Sequence, residues 1–326
     1  MPNRTTMAAL LAATSLLPAQ DDNRQTESLY ETMLSTVSSS QREDGSWWLN
    51  ETAGAKRPLL GTGLCLLALM TSGSSLDRGK HKPAILAATS WLRTHQTKDG
   101  WLADDPADLE SHAITTCALF YVFGMSGEPR ALREPCERAI SVLIAHASAD
   151  KASPSPAARG FAALVLPRAS NFKLATDVAL IQRWGSVAAP AASRSSDALA
   201  LMAELWCRVA PASEGKAGER AEQLLTDARR LSLVEAGSQR PCDLRAFVFA
   251  GLASAQLRNR GEQLEAHAAW CKKIDDSLDP QPKGLDRFKL LMQPSTPWAE
   301  GIGETGRLAL ATFAVGLRVF HAQIVD

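Results

Sequence analysis

His112 is the side chain in this sequence best suited to moving a proton. Histidine titrates near neutrality and serves as a general acid or base. It stands at the start of an apolar segment, just after Glu110 and Ser111. Arg159, Arg245 and Arg307 occupy the same place in three further apolar segments. A guanidinium keeps its charge at any working pH and offers a planar fork of donors that suits a carboxylate or phosphate. Thr62 and Asp197 fill the two remaining equivalent positions, with Ser196, Asp243 and Glu304 close by. One reading makes His112 a catalytic base, with Arg245 and Arg307 neutralising an acidic substrate. In that reading Arg159, Asp197, Glu110 and Glu304 complete a ligand site. The competing reading is structural: these residues cap helices, and Arg159 with Asp197, or Arg245 with Glu304, form ion pairs. Asp104, Asp108, Glu110 and His112 are metal-ligand types, but their spacing matches no established site, so neither a metal nor a cofactor is expected.

These residues need elements to hold them. Ala and Leu are abundant and alternating β-branched runs are rare, which predicts an all-α chain. Residues 41–49 read QREDGSWWL and residues 96–102 read QTKDGWL. Both carry Gln, then Asp-Gly, then Trp-Leu. Each follows an amphipathic pattern: Tyr30, Leu34 and Val37 in the first, Ile85, Ala88 and Leu92 in the second. Each precedes a more apolar helix that ends in Ser-Gly, a helix stop. Later units keep the rhythm without the Gln and Trp. Amphipathic patterns cover Glu134–Ala147, Lys173–Trp184, Glu219–Leu231 and Gly261–Ile274. Apolar ones cover Ala157–Leu166, Ser195–Arg208, Asp243–Leu257 and Gly306–His321. Six pairs of an outer amphipathic helix and an inner apolar one predict an (α/α)6 toroid. An open solenoid is the alternative, but it needs a polar capping helix, and the last helix is strongly apolar. In the closed form all inner-helix N-termini open on one face, where dipoles and spare N–H groups favour an anion. The stretch 277–305 reads either as a plain long connection or as a lid in which Trp298 and Glu300 fold over that face.

Over residues 26–127 the Gln, Asp-Gly, Trp pattern between an amphipathic and a Leu/Ala-rich helix resembles the QW-type repeat of squalene–hopene cyclases. The β-subunits of protein prenyltransferases and the thioester domains of macroglobulins share that toroid. The resemblance implies the fold, and it implies isoprenoid binding or conversion as one function. The catalytic motifs of those proteins are not matched. LADDPADLE does not fit the acidic DxDD cluster, Cys242-Asp243 is the only adjacent Cys/Asp pair, and GCGEQ is absent.

Lys+Arg and Asp+Glu both number 35 in 326 residues, and 45% of the residues are hydrophobic. That composition excludes intrinsic disorder and a generically basic nucleic-acid binder. An apolar run from Met7 to Leu17 follows Arg4 and precedes Pro18, Ala19 and Gln20. This order reads as a secretory signal peptide over 1–20, with one toroid domain over 21–326, although a buried first helix remains the alternative. Export to the periplasm or beyond follows, with no transmembrane anchor after signal removal. Six cysteines (Cys65, Cys117, Cys136, Cys207, Cys242 and Cys271) lack CxxC spacing and sit in apolar patterns, which favours buried thiols over disulfides or zinc. The sequence therefore predicts an exported binding or interaction module with an anionic ligand, and leaves a protein partner open. The alternative is a toroid enzyme, either a lyase or hydrolase on an acidic polysaccharide or an isoprenoid-converting enzyme.

Overall fold

The computed structural model describes residues 22–49, 56–148, 155–169, 171–174, 198–209, 243–259, 292 and 297–319, and among them it is helical without strands. The helices are α1 (Asp22–Ser39), α2 (Pro58–Met70), α3 (Lys82–His95), α4 (Leu109–Met125) and α5 (Arg130–Ser148). They continue as α6 (Pro156–Ala169), α7 (Ala198–Val209), α8 (Leu244–Asn259), α9 (Pro297–Gly301) and α10 (Gly303–Val319). The expected segments 1–20, Lys173–Trp184, Glu219–Leu231 and Gly261–Ile274 lie wholly or almost wholly outside the described residues.

Two helix types are present, and the sequence patterns explain both. The α1 helix buries one stripe, Tyr30, Met33, Leu34 and Val37, and α5 buries Leu132, Cys136, Ala139, Ile140 and Leu143. Their other faces carry the charges. In contrast, α2 is buried from Leu59 to Met70 and α4 from Ser111 to Phe123. Burying one Leu or Phe side chain contributes about 1.5–3 kcal/mol. Helix propensities of ordinary residues differ by under about 1 kcal/mol. Packing therefore fixes these apolar helices, and the Ile, Val, Phe and Thr residues of α4 are tolerated in helix for that reason.

The apolar helices pack in a cyclic order. α2 lies on α4, α4 on α6, α6 on α7, α7 on α8, α8 on α10, and α10 returns to α2. The helices α1, α3 and α5 are not members of this series, and each packs on two that are: α1 on α10 and α2, α3 on α2 and α4, α5 on α4 and α6. Buried side chains from all six apolar helices belong to one continuous hydrophobic cluster. Four of the cysteines, Cys65, Cys117, Cys136 and Cys207, are free and buried, and desolvation pushes the thiols of Cys65, Cys117 and Cys136 far up. Cys242 and Cys271 lie outside the described residues.

The Gln/Gly repeat is a bracket between helices. Gln41 Nε2 donates to the Gly45 and Ala84 carbonyls, both at 2.9 Å. Gln96 Nε2 donates to Gly100 at 3.2 Å and to Pro135 at 2.9 Å. Each Gln thus closes its own loop and ties it to the next outer helix. Gly45 and Gly100 both have strongly positive φ, 91° and 93°. A Cβ there would meet the Ala87 or Arg138 carbonyl oxygen at 2.7 or 2.5 Å, so only glycine fits.

The two loops correct the alignment of the tryptophans. The turn is closed by Arg42 N–H to Ser46 carbonyl in the first loop and by Thr97 N–H to Trp101 carbonyl in the second. Trp101 is therefore in register with Ser46, and the buried Trp47 with Leu102. Trp47 anchors its loop by donating Nε1–H to the Val37 carbonyl at 2.8 Å. The sequence aligned tryptophans by letter, whereas the turn hydrogen bonds set the register.

Expected boundaries move: the helix expected from Glu134 begins at Arg130, the last apolar helix begins at Gly303 instead of Gly306, and a short helix, α9, precedes it within the expected connection. Proline opens α2 and α9 because its missing N–H costs nothing in a first turn. The Ser-Gly stops are as expected: Gly73 and Gly127 have φ of 72° and 69°.

Candidate functional site

The starts of the apolar helices are capped by side chains, several supplied from elsewhere in the chain. Asp104 accepts from the N–H groups of Leu59 and Leu60 at 3.1 and 3.3 Å, capping α2 from 45 residues away. Asp108 caps its own helix α4 through Ser111 N–H at 3.0 Å and also pairs with Arg57. Ser155 Oγ accepts from Ala158 N–H at 3.1 Å at the start of α6. Asp243 accepts from Arg245 N–H at 2.9 Å at the start of α8. Free helix N–H groups carry partial positive charge, which explains why carboxylates and hydroxyls collect here.

Arg245 holds the centre of this set, with its side chain only 7% exposed. It forks onto Asp243, with Nε at 3.1 Å from Oδ1 and Nη2 at 2.8 Å from Oδ2. Its Nη1 donates to Glu110 Oε1 at 2.5 Å. Glu110 Oε2 accepts from Ser155 Oγ at 3.0 Å. Burial raises the Glu110 carboxyl above its ordinary range, and Arg245 and Ser155 offset this only in part. The indole of Trp298 in α9 covers the guanidinium at 4.1 Å, a cation–π stack. Arg307 in the first turns of α10 holds α9 and its approach in place: Nε donates to the Met292 carbonyl at 2.8 Å and Nη1 to the Ala299 carbonyl at 2.9 Å.

Five of the six apolar helices, α2, α4, α6, α8 and α10, are thereby joined at their N-terminal ends through side-chain contacts. The ion pair expected between Arg245 and Glu304 gives way to Glu110 and Asp243, while Glu304 is exposed. Asp243 wins because it sits two residues from Arg245, where one carboxylate accepts both the backbone and the fork. Arg159 is buried in the first turn of α6. Asp197, and Ser196 beside it, lie outside the described residues.

His112 is fully buried and has both ring nitrogens engaged. Nδ1 accepts from Leu102 N–H at 3.0 Å, and Nε2–H donates to the Ala139 carbonyl at 3.0 Å. The imidazole is therefore the neutral Nε2–H tautomer. Burial drives its pKa down to about 4, with the Ala139 hydrogen bond working against that shift. Trp101 packs its ring edge-on against it, centroids 4.8 Å apart. Thr62 does the corresponding job in the first repeat, accepting from Trp47 N–H at 3.1 Å. The two positions are equivalent, as the sequence indicated, and the shared task is to hold a loop onto an apolar helix. The sequence carried a signal for this role: His112 and Thr62 hold equivalent positions, and both side chains can accept a hydrogen bond from a loop N–H.

Among the described residues no group of three or more His, Cys, Asp or Glu is placed to hold a metal ion, and no helix is long and apolar enough to cross a membrane. Comparison of the chain with protein-family models, curated proteins and solved structures finds no match.

Proposed function

We propose that this chain is an exported (α/α)6 toroid of the QW-repeat kind. In this reading it acts as a binding module that takes an anionic ligand at the N-terminal ends of its inner helices. Closure is supported by the cyclic packing order, in which α10 returns to α2. The apolar run Met7–Leu17 supports export. The observation that carries the ligand site is Arg245: buried, oriented by Asp243, and stacked beneath Trp298 where five helix N-termini meet. A guanidinium fixed in this way loses little side-chain entropy when it takes up an anion. A ligand carboxylate or phosphate would take the place of Glu110 on Nη1, with Asp243 left as the permanent partner.

Calorimetric titration of the mature chain with inorganic phosphate and with a short oligogalacturonate tests this reading. Binding that Arg245→Gln weakens at least tenfold is expected. Absence of binding to both, or binding indifferent to Arg245→Gln, sinks it. The second reading, an enzyme acting on an acidic polysaccharide, is favoured by one observation. Glu110 beside Arg245 is a carboxyl group that keeps its proton to higher pH than usual, as a general acid requires. In that reading the proton-transfer role passes from His112 to Glu110, and Arg307 holds the lid.

A further inference from the structure

The contact between Glu110 and Arg245 joins helices that do not neighbour one another. α4 and α8 are separated by two helices whichever way the cyclic packing order is followed. The remaining partners of each residue are on its own side: Asp243 is two residues from Arg245, and Ser155 leads into α6, which packs on α4. One charged hydrogen bond thus straps opposite sides together. Trp298 rests on the guanidinium that this strap fixes.

We infer that Glu110–Arg245 is an acid-released latch: protonation of Glu110 lets go the strap between α4 and α8, and Trp298, stacked on the same guanidinium, reports the release. Most buried ion pairs cannot work this way, since losing one partner strands a buried charge. Here Asp243 keeps two bonds to Arg245 after Glu110 is neutralised, so no charge is stranded. The linkage has the matching sign. The folded-state pKa of Glu110 is raised, so the folded chain binds that proton more tightly than the unfolded chain does. Glu110 therefore adds stability as pH falls through its titration, and the latch opens without unfolding the protein.

The charges around Glu110 set the pH of release. Arg245 opposes protonation, as does the hydroxyl of Ser155, whereas Asp108 favours it. Asp243 shares Arg245, Arg57 holds Asp108, and Glu300, Glu304 and Arg307 border the lid from α9 and α10. The second anchor of α9 is Arg307 on the Ala299 carbonyl, and the carboxylates of Glu304 and Glu300 act on that guanidinium. The latch lies over the proposed ligand site, but its test reads the protein alone, so a failed ligand titration leaves it standing.

The test labels the full chain with 5-fluorotryptophan and identifies the Trp298 resonance by its loss in Trp298→Phe. Between pH 8 and 4.5 the resonance is expected to shift with a midpoint above the ordinary glutamate value, while circular dichroism stays constant. Glu110→Gln should hold it at the acid position at every pH. Ser155→Ala, which removes a donor to the carboxylate, should raise the midpoint and serves if Glu110→Gln fails to fold. An unmoved resonance, a titration that survives Glu110→Gln, a midpoint unchanged by Ser155→Ala, or a shift that coincides with loss of helix overturns the latch.

Discussion

Glu110 and Arg245 are 135 residues apart in the chain and meet at 2.5 Å, with side chains only 12% and 7% exposed. The pair spans the helix series from α4 to α8 at its N-terminal end. Replacing Glu110 with Ala removes the strap and opens a hole beside Ser155. Replacing Arg245 with Ala does more, because it leaves Glu110 and Asp243 facing each other without a cation. Arg245→Ala is expected to cost about 3–5 kcal/mol, and Glu110→Ala less. Urea unfolding measures both, and a double-mutant cycle should return a coupling of about 1–3 kcal/mol.

His112 makes the protein sensitive to acid. Its folded pKa is lowered to about 4, against 6.5 in an unperturbed histidine. Between those values the unfolded chain binds more protons, so stability rises with pH across the window. The contribution is complete above about pH 6.5 and lost as pH falls to about 4, a total of about 3 kcal/mol. His112→Gln should abolish this slope in stability measured at several pH values. A slope unchanged in the variant would mean that other groups carry it.

Gly45 and Gly100 should be equally intolerant of a side chain. Alanine at either would hold a strained positive φ and push against a backbone carbonyl of α3 or α5. A loss of at least about 2 kcal/mol is expected for each. Thermal melts of the two single variants check it, and a harmless substitution at one loop would break the equivalence drawn between them.

The two glutamine brackets are worth comparing in the same way. Gln41→Ala and Gln96→Ala each release two carbonyls. About 1–3 kcal/mol is expected for each. Gln96 should lie at the upper end, because its Oε1 also accepts from Arg138 Nη2 at 3.0 Å. Hydrogen exchange in residues 41–46 and 96–102 should quicken locally in the respective variants.

The lid has a weak and a strong anchor. Trp298→Ala removes a cation–π stack worth about 0.5–2 kcal/mol. Arg307→Met removes two charge-assisted bonds to carbonyls, about 1.5–3 kcal/mol each. Proteolysis near 292–301 should therefore accelerate more in Arg307→Met than in Trp298→Ala. The reverse order would show that α9 is held by its indole.

The sequence by itself determined the helical class and the alternation of half-exposed and buried helices, since both follow from the spacing of apolar residues along a 3.6-residue period. It also determined the Ser-Gly helix stops and the loop glycines, because local backbone geometry selects glycine wherever φ is positive. It identified the residues at the apolar-helix starts as a set. Their partners were decided only in the tertiary structure. Arg245 has carboxylates on several sides in sequence, and which one it meets depends on how six helices close on one another. His112 looked reactive because histidine titrates near neutrality. The fold placed both its nitrogens against backbone groups of a loop and of α5, and burial then took its charge away. Propensity and spacing act within a few residues and can be read along the chain. Pairing, desolvation and pKa depend on groups brought together from separate helices and loops, as far apart in the chain as Glu110 and Arg245, and only packing determines those.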